Sequence, residues 1–241
     1  MFYILEAKKE QLKENEPLNR RVFKDLRDNT FLEWIYNWNK CEENTLSLAE
    51  TKTVLSGITV GGKTIKEHLR ISNYQKALFY LDDIIKKDEP FTQIQIKTLH
   101  SILEKGEFDK NYSNYRNRNT DIAGLKYTYT KYTKIKEEMA NFVEWYNIKK
   151  ENENLIVRAV LVQTIFLMIQ PFPEQNIRTS ELLLNLELMR NGYPPIVIKS
   201  KNKQAYHQAL DRACMYGNNG ELVQVITLEL KETLDRYLEL I

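Results

Sequence analysis

The stretch of sequence that decides the fold is NLIVRAVLVQTIFLMI, residues 154–169. Most of its positions are apolar, so we expect the helix that it forms to be buried on nearly every side. Its longest apolar run, Ala159–Ile169, is interrupted by Gln163 and Thr164 and is too short to cross a bilayer. The stretch therefore predicts an all-α protein that is built around one central buried helix.

The segments on both sides of this helix carry the signals of further helices. Three Ser/Thr residues are followed three positions later by Glu or Gln, the pattern of a capping box: Ser47 with Glu50, Thr64 with Glu67, and Thr92 with Gln95. Helical patterns recur in several more segments: Pro17–Cys41, Ile135–Lys149, Asn176–Arg190, Ser200–Tyr216 and Glu221–Leu240. No repeat or linker interrupts the chain, so we expect a single domain over residues 1–241, with N-terminal helices in 1–57 and the core in 58–241.

Residues 115–133 depart from the helical pattern. Tyr, Thr and Asn are frequent in this segment, and Ala123-Gly124 lies near its centre. β-branched and aromatic residues on both sides of a glycine turn are typical of a β-hairpin. The fold prediction is therefore an all-α bundle with one short β-hairpin.

Charge and cysteine content narrow the classes of function. The net charge of +2 is too small for the concentrated basic face that nucleic-acid binding requires. Cys41 and Cys214 lie far apart and lack metal-ligand spacing, which favours a reducing compartment. We therefore expect a cytoplasmic protein that binds neither nucleic acid nor membranes. Three histidines lack a partner at a spacing that would suggest a catalytic or metal site: His68, His100 and His207.

The loop Gln170–Arg178 is the strongest candidate for a binding site. It leads into a helix N-terminus, where free N–H groups and the helix dipole favour anions. Glu174 is a suitable ligand for Mg²⁺, and Asn176 and Arg178 are suitable contacts for phosphate oxygens. The same residues also fit a turn that is shaped by its two prolines, with Glu174 stabilising the helix dipole. The pattern alone leaves both interpretations open.

Several segments of this chain, in the same order, resemble one family. The loop QPFPEQNIR (170–178) is similar to the motif His-Pro-Phe-x-Asp/Glu-Gly-Asn-Gly-Arg-x-x-Arg. The other segments are EENTLS (42–47), GKTIKEHLRISN (62–73), YR (115–116) and NGYPP (191–195). The ordered set resembles the Fic (Fido) family over about residues 17–240. The resemblance implies a helical fold with a β-hairpin flap and transfer of AMP from Mg·ATP to a hydroxyl group of a target protein.

The resemblance also implies roles for the residues of the loop. In active members the motif histidine is the general base, the acid binds the metal, the glycines wrap the phosphates, and the two arginines hold the distal phosphates. On this chain the acid is kept as Glu174, and Asn176 and Arg178 are kept as nucleotide contacts. Mg²⁺ and ATP are therefore the cofactors implied if any activity remains, and otherwise none is expected.

The chain departs from the motif at the positions that perform the chemistry. The base position holds Gln170, whose amide cannot accept a proton. The two glycine positions hold Gln175 and Ile177, where a positive φ would be strained and a side chain would fill space that a phosphate needs. The second arginine position holds Glu181, which would repel phosphate. These losses predict a degenerate active site.

A second stretch resembles the inhibitory helix of many relatives, in which a Ser/Thr-x-x-x-Glu segment places its glutamate on the second motif arginine. Here Trp38 stands at the Ser/Thr position and Glu42 at the glutamate position. Because the second arginine is replaced by Glu181, the sequence predicts that Glu42 faces another acid and that the inhibitory ion pair does not form.

These departures favour a pseudoenzyme that acts by binding a protein partner or a nucleotide. The flap is the predicted partner contact, through Leu125, Lys126, Tyr127 and Thr128, since an extended target segment can pair with such a strand. A purely structural hairpin is the simpler interpretation of the same residues. The alternative function is an active enzyme with a non-standard site, which transfers AMP or another group or removes it, with Glu42 as base. Self-association is common in the family, so a homo-oligomer is possible.

Overall fold

The computed structural model describes residues 2–15, 20–87, 90–106, 114–119, 129–148 and 154–241. In these ranges the regular structure is entirely helical. The α-helices in chain order are α1 (Phe2–Asn15), α2 (Arg20–Cys41), α3 (Leu48–Leu55), α4 (Ile65–Lys87), α5 (Gln93–Glu104), α6 (Ile135–Ile148), α7 (Leu155–Ile169), α8 (Asn176–Arg190), α9 (Lys203–Tyr216) and α10 (Gly220–Glu239). Short 3₁₀ turns cover Tyr132–Lys134 and Ser200–Asn202.

All three predicted capping boxes are confirmed. At the start of α3 the Glu50 carboxylate accepts from the Ser47 N–H at 2.7 Å, and the Ser47 hydroxyl accepts from the Glu50 N–H at 3.2 Å. The same reciprocal bonds join Thr64 with Glu67 and Thr92 with Gln95. Each box satisfies N–H groups that the first turn of a helix leaves without an intrahelical acceptor, so these three helices begin where the sequence predicts.

Helices α7 and α8 together form the centre of the fold. Helix α7 is buried along most of its length, as its apolar sequence predicts. Helix α8 is buried at least as completely, although it carries Arg178, Glu181 and Glu187. The centre is therefore an antiparallel pair rather than one helix, because the short loop between them folds α8 back along α7. None of the helices in the described ranges has the length and apolar character needed to span a membrane.

The remaining helices cover the two sides of this pair. On one side an aromatic-rich core from α2, α4, α5 and α6 includes Trp34, Tyr74 and Phe142. On the other side a second core from α1, α9 and α10 includes Leu5, Leu210 and Leu230. The loop between α7 and α8 lies at the end of the pair, on the side of the first core, because Phe172 is fully buried there.

The predicted β-hairpin is not seen. The described parts of the segment, 114–119 and 129–134, contain no strand, and the chain after Lys131 forms a 3₁₀ turn instead. The centre of the predicted hairpin, including Leu125, Lys126, Tyr127 and Thr128, lies outside the described residues. The two described flanks approach each other through Arg116, which hydrogen-bonds the Thr130 carbonyl. Their backbone groups bond mainly to the end of α7 rather than to each other.

Candidate functional site

The loop between α7 and α8 begins and ends with residues in the left-handed backbone conformation. Gln170 ends α7 with φ 45°, and its N–H bonds the Phe166 carbonyl at 3.0 Å. Gln175 precedes the first residue of α8 with φ 56° and ψ 19°. Of the two positions where the family motif has glycine, Gln175 therefore requires a positive φ and Ile177 does not, since Ile177 lies in the first turn of α8. The strain that the sequence predicts wherever a positive φ is required therefore applies to Gln175 and not to Ile177.

The loop is held from inside by side chains. The Asn176 amide accepts from the Phe172 N–H at 3.0 Å and donates to the Phe172 carbonyl at 2.7 Å. The His100 ring stacks on the Phe172 ring at 3.7 Å between centroids, and its Nε2 lies 3.1 Å from the Glu174 carbonyl oxygen. Asn176 was predicted to contact phosphate. The residue is 4% exposed and both polar atoms of its side chain bond to backbone, so it shapes the loop, and its contact with phosphate stays a prediction.

Arg116 ties the loop to the flanks of the predicted flap. Its Nε donates to the Gln170 carbonyl at 2.7 Å, and its other nitrogens donate to the carbonyls of Arg118 (2.8 Å) and Thr130. The Arg116 N–H also donates to the Pro171 carbonyl at 2.8 Å. Burial lowers the pKa of this guanidinium. One buried side chain thus joins the end of α7 to both flanks of residues 120–128.

Arg178 is paired with a carboxylate from another helix. Its Nε donates to Glu42 Oε1 at 2.6 Å, and a second guanidinium nitrogen contacts Glu42 Oε2. Arg70 approaches the same carboxylate at 3.4 Å. The side chain of Arg178 is 1% exposed, and burial lowers its pKa to about 9 against the opposing effect of Glu181, so it is still charged at neutral pH. The sequence predicts that Glu42 faces Glu181, but the structure instead pairs Glu42, just after α2, with Arg178 at the position of the first motif arginine.

Glu181 lies deeper than the loop, inside the first core. Burial raises its pKa to about 8, while Trp34 and Arg178 lower it by less. One carboxyl oxygen has no hydrogen-bond partner. At neutral pH the group is therefore mostly protonated, and the repulsion of phosphate by a charged Glu181 stays a prediction. Trp38, the other predicted inhibitory position, is buried beside Tyr74 at 6.4 Å between ring centroids.

The exposed part of the site is small. Glu174 is exposed, Ile177 is 43% exposed, and Gln170 is 9% exposed. Among the described residues, no group of three or more His, Cys, Asp and Glu side chains is placed to hold a metal. Glu174 alone suits one oxygen contact to Mg²⁺. The residues present do not fit a triphosphate as they stand, because the charge of Arg178 is already balanced by Glu42.

Sequence reasoning missed three residues of this site: Arg70, His100 and Arg116. The sequence places Arg116 only in the predicted flap, although an arginine directly after Tyr115 in a segment rich in Tyr, Thr and Asn is a usable signal. Arg70 belongs to a segment used only for the resemblance. The sequence gives His100 no neighbour that suggests a site, because its partners Phe172 and Glu174 are more than 70 positions away.

Comparisons with known proteins agree with this architecture. Residues 90–188 match the model of the Fic/DOC family. The chain is 29% identical over 213 residues to "Protein adenylyltransferase fic-1" of Caenorhabditis briggsae, which covers 87% of this chain. It spans only 41% of the length of that relative.

Solved structures show the same similarity. A Fic domain-containing signalling protein from Bacteroides thetaiotaomicron superposes with a TM-score of 0.89 at 25% identity, over 99% of this chain and 95% of that chain. IbpAFic2 in complex with adenylylated Cdc42 superposes with a TM-score of 0.53 at 17% identity, over 96% of this chain and 83% of that chain. The second similarity concerns the fold alone.

Proposed function

Because this chain belongs to the Fic/DOC family, we propose that it is a Fic-domain protein that does not transfer AMP and acts by binding a protein partner. The observation that carries the proposal is the state of the α7–α8 loop. Its backbone turn is intact, while its one cation, Arg178, is paired with Glu42 and its first residue is Gln170. The loop still leads into the N-terminus of α8, while its one arginine is already paired with a carboxylate.

The residues of the loop support the loss of catalysis on two counts. An amide at position 170 cannot accept the proton of an attacking hydroxyl, and removal of a general base costs about 10²–10⁴ in rate. The position of the second motif arginine holds the buried acid Glu181, so a triphosphate would meet one cation fewer. Both effects slow the same step, the attack of the hydroxyl on the phosphate, because positioned cations stabilise the charge that develops on the phosphate.

The flap segment is the proposed partner contact. Arg116 anchors both described flanks of residues 120–128 to the end of α7. IbpAFic2, a Fic protein of similar fold, is known in complex with adenylylated Cdc42. We propose that Leu125–Thr128 pairs with an extended segment of a target by strand addition.

The test of lost activity is label transfer from ATP carrying ³²P at the α-phosphate, with Mg²⁺ present. We compare the natural chain with Gln170→His and with a variant that combines Gln170→His, Gln175→Gly, Ile177→Gly, Glu181→Arg and Glu42→Ala. The natural chain is expected to incorporate no label and the combined variant to label itself. Glu43→Ala, one residue from Glu42 and exposed, is the matched control. Self-labelling by the natural chain would contradict the proposal.

A second function is supported by one observation. The carboxylate of Glu174 is exposed, so it could still contribute a ligand to Mg²⁺ that is bound with a nucleotide and support an altered group transfer or removal of AMP. If the chain has that function, it turns over Mg-nucleotide or an AMP-modified protein. The Glu174→Ala variant is then expected to abolish this turnover. Turnover that persists in Glu174→Ala, or its absence in the natural chain, argues against it.

A further inference from the structure

A groove with a volume of about 1070 Å³ lies at the far end of α8 from the loop. Met189 and Arg190 at the end of α8 line it, together with the turn 191–195. Its other sides come from α1, α2, the C-terminal part of α4 and Tyr237 of α10. Helix α8 has 15 residues, and at 1.5 Å per residue the groove is roughly 20 Å from the loop. The groove is therefore separate from the site described above.

The charge of the groove is strongly one-sided. Of the lining residues within the described ranges, seven are Lys or Arg and two are acidic, Glu10 and Asp82. The whole chain carries a net charge of only +2. The lining therefore concentrates positive charge far beyond the average of the molecule, which attracts an anionic partner and speeds its association.

Part of this positive charge is not used within the protein. Arg27 pairs with Asp82 at 3.2 Å, so one of the two acidic lining residues balances the charge of Arg27. Arg20 and Lys24, both exposed on the first turns of α2, make no ion pair within the described part of the chain. Among the residues that the structure describes, Lys13 reaches only Glu10, at 3.8 Å, and its side chain is 75% exposed. These three cations remain accessible to a ligand.

Apolar side chains lie between the cations. Phe23 on α2, Ile85 on α4 and Met189 on α8 line the same groove and are partly exposed. Tyr193 adds an aromatic ring on which the Lys9 ammonium lies at 4.9 Å from the ring centroid. A ligand that fills this groove must therefore present apolar groups as well as negative charge.

We propose that this groove binds an acidic segment of a partner protein in which carboxylates alternate with apolar side chains. The cations come from four different helices and do not converge on one point, which suits several spaced carboxylates better than a single phosphate group. The volume is at the upper limit of small-molecule sites. A nucleic acid would find apolar side chains in place of a continuous track of cations. The proposal uses no residue of the α7–α8 loop and does not depend on loss of AMP transfer.

The test selects peptides from a displayed library of random 12-residue sequences with the full chain as bait. Selected peptides are then measured by fluorescence anisotropy. We expect enrichment of Asp and Glu interleaved with apolar residues, and weaker binding as salt is raised. Arg20→Glu with Lys24→Glu is expected to weaken binding at least tenfold. The matched control, Lys52→Glu with Lys136→Glu, makes the same change of net charge on α3 and α6, where both lysines are exposed.

Four outcomes would overturn the proposal. They are a failure to select any peptide, selected peptides without acidic enrichment, equal loss of affinity in the groove and control variants, and tighter binding of a 20-nucleotide single strand than of the best peptide. Melting temperatures of both variants within about 3 °C of the natural chain confirm that they fold. If the groove variant melts lower, Lys24→Ala alone replaces it, with a smaller loss of affinity still expected.

Discussion

Glu42 and Arg178 join the end of α2 to the start of α8 across 136 positions of sequence, with Glu42 Oε1 2.6 Å from Arg178 Nε. The arginine is buried, whereas the Glu42 side chain is 26% exposed. The pair therefore sits at the boundary between core and solvent, with its cation on the inside. This arrangement makes Glu42 the counter-charge that allows Arg178 to be buried.

Removal of the Glu42 carboxylate is expected to destabilise the fold. Glu42→Ala leaves the buried Arg178 without its main counter-charge, and we expect a loss of about 2–3 kcal/mol, below the range for a fully buried pair because Glu42 is partly exposed. Urea unfolding at pH 7 measures it. Glu43→Ala, which removes a neighbouring exposed acid, is expected to change stability by less than about 0.5 kcal/mol. Equal effects of the two changes would show that the pair contributes nothing specific.

The buried Glu181 is expected to make stability depend on pH. Its pKa is raised from 4.5 to about 8 on folding, so the folded state holds a proton that the unfolded state releases between these values. The contribution of Glu181 to the free energy of unfolding is therefore fully present below pH 4.5. It is lost as the pH rises to 8, by up to about 1.4 kcal/mol per pH unit. Glu181→Gln, which cannot ionise, is expected to remove this slope.

Urea unfolding of the natural chain and of Glu181→Gln at pH 5, 6, 7 and 8 tests this dependence. The free energy of unfolding of Glu181→Gln, taken relative to that of the natural chain, is expected to increase at each step from pH 5 to pH 8. Glu144→Gln on the exposed face of α6 serves as the control. A difference between natural chain and Glu181→Gln that stays constant from pH 5 to 8 would refute the assignment.

Arg116 is expected to hold the described segments 114–119 and 129–134 against the end of α7. In Arg116→Ala the carbonyls of Gln170, Arg118 and Thr130 lose their shared donor, and we expect a loss of about 2–4 kcal/mol for this buried network. Arg116→Lys is expected to rescue little, since an ammonium lacks the planar fork that reaches several carbonyls.

Hydrogen exchange followed by mass spectrometry distinguishes this role from a general loss of stability. Exchange is expected to accelerate most in peptides that contain Thr130 and Arg116, whose N–H groups bond to Met168 and Pro171. Helix α10 serves as the internal reference. Uniform acceleration over the whole chain, or none near Thr130, would mean that Arg116 does not anchor this segment.

The two positions at which the motif has glycine are expected to respond in opposite ways. Gln175 has φ 56°, so Gln175→Gly relieves a left-handed conformation and should stabilise the fold by about 1 kcal/mol. Ile177 is in the first turn of α8 and 43% exposed, so Ile177→Gly should destabilise it by about 0.5–1 kcal/mol. Thermal melts of the two single variants provide the comparison. A shift of the same sign for both would contradict the backbone assignment.

Local sequence patterns were sufficient for most of the helices. The apolar run 154–169, the three capping boxes and the glycine after α3 each depend on residues within one or two turns, so they could be predicted without knowledge of the fold. The burial of α8 could not, because its polar residues Arg178, Glu181 and Glu187 suggest an exposed face. Their partners come from α2 and α7, which local patterns do not reveal.

The sequence by itself determined the helical architecture, the family and the loss of a basic side chain at position 170. Only the tertiary structure decided that Glu42 meets Arg178 and not Glu181, and that Glu181 is buried as a mostly neutral acid. It also decided that Arg116 and His100 hold the loop. The physical reason is that charge, protonation and hydrogen bonding depend on distances between groups remote in sequence, whereas helix formation depends chiefly on neighbours.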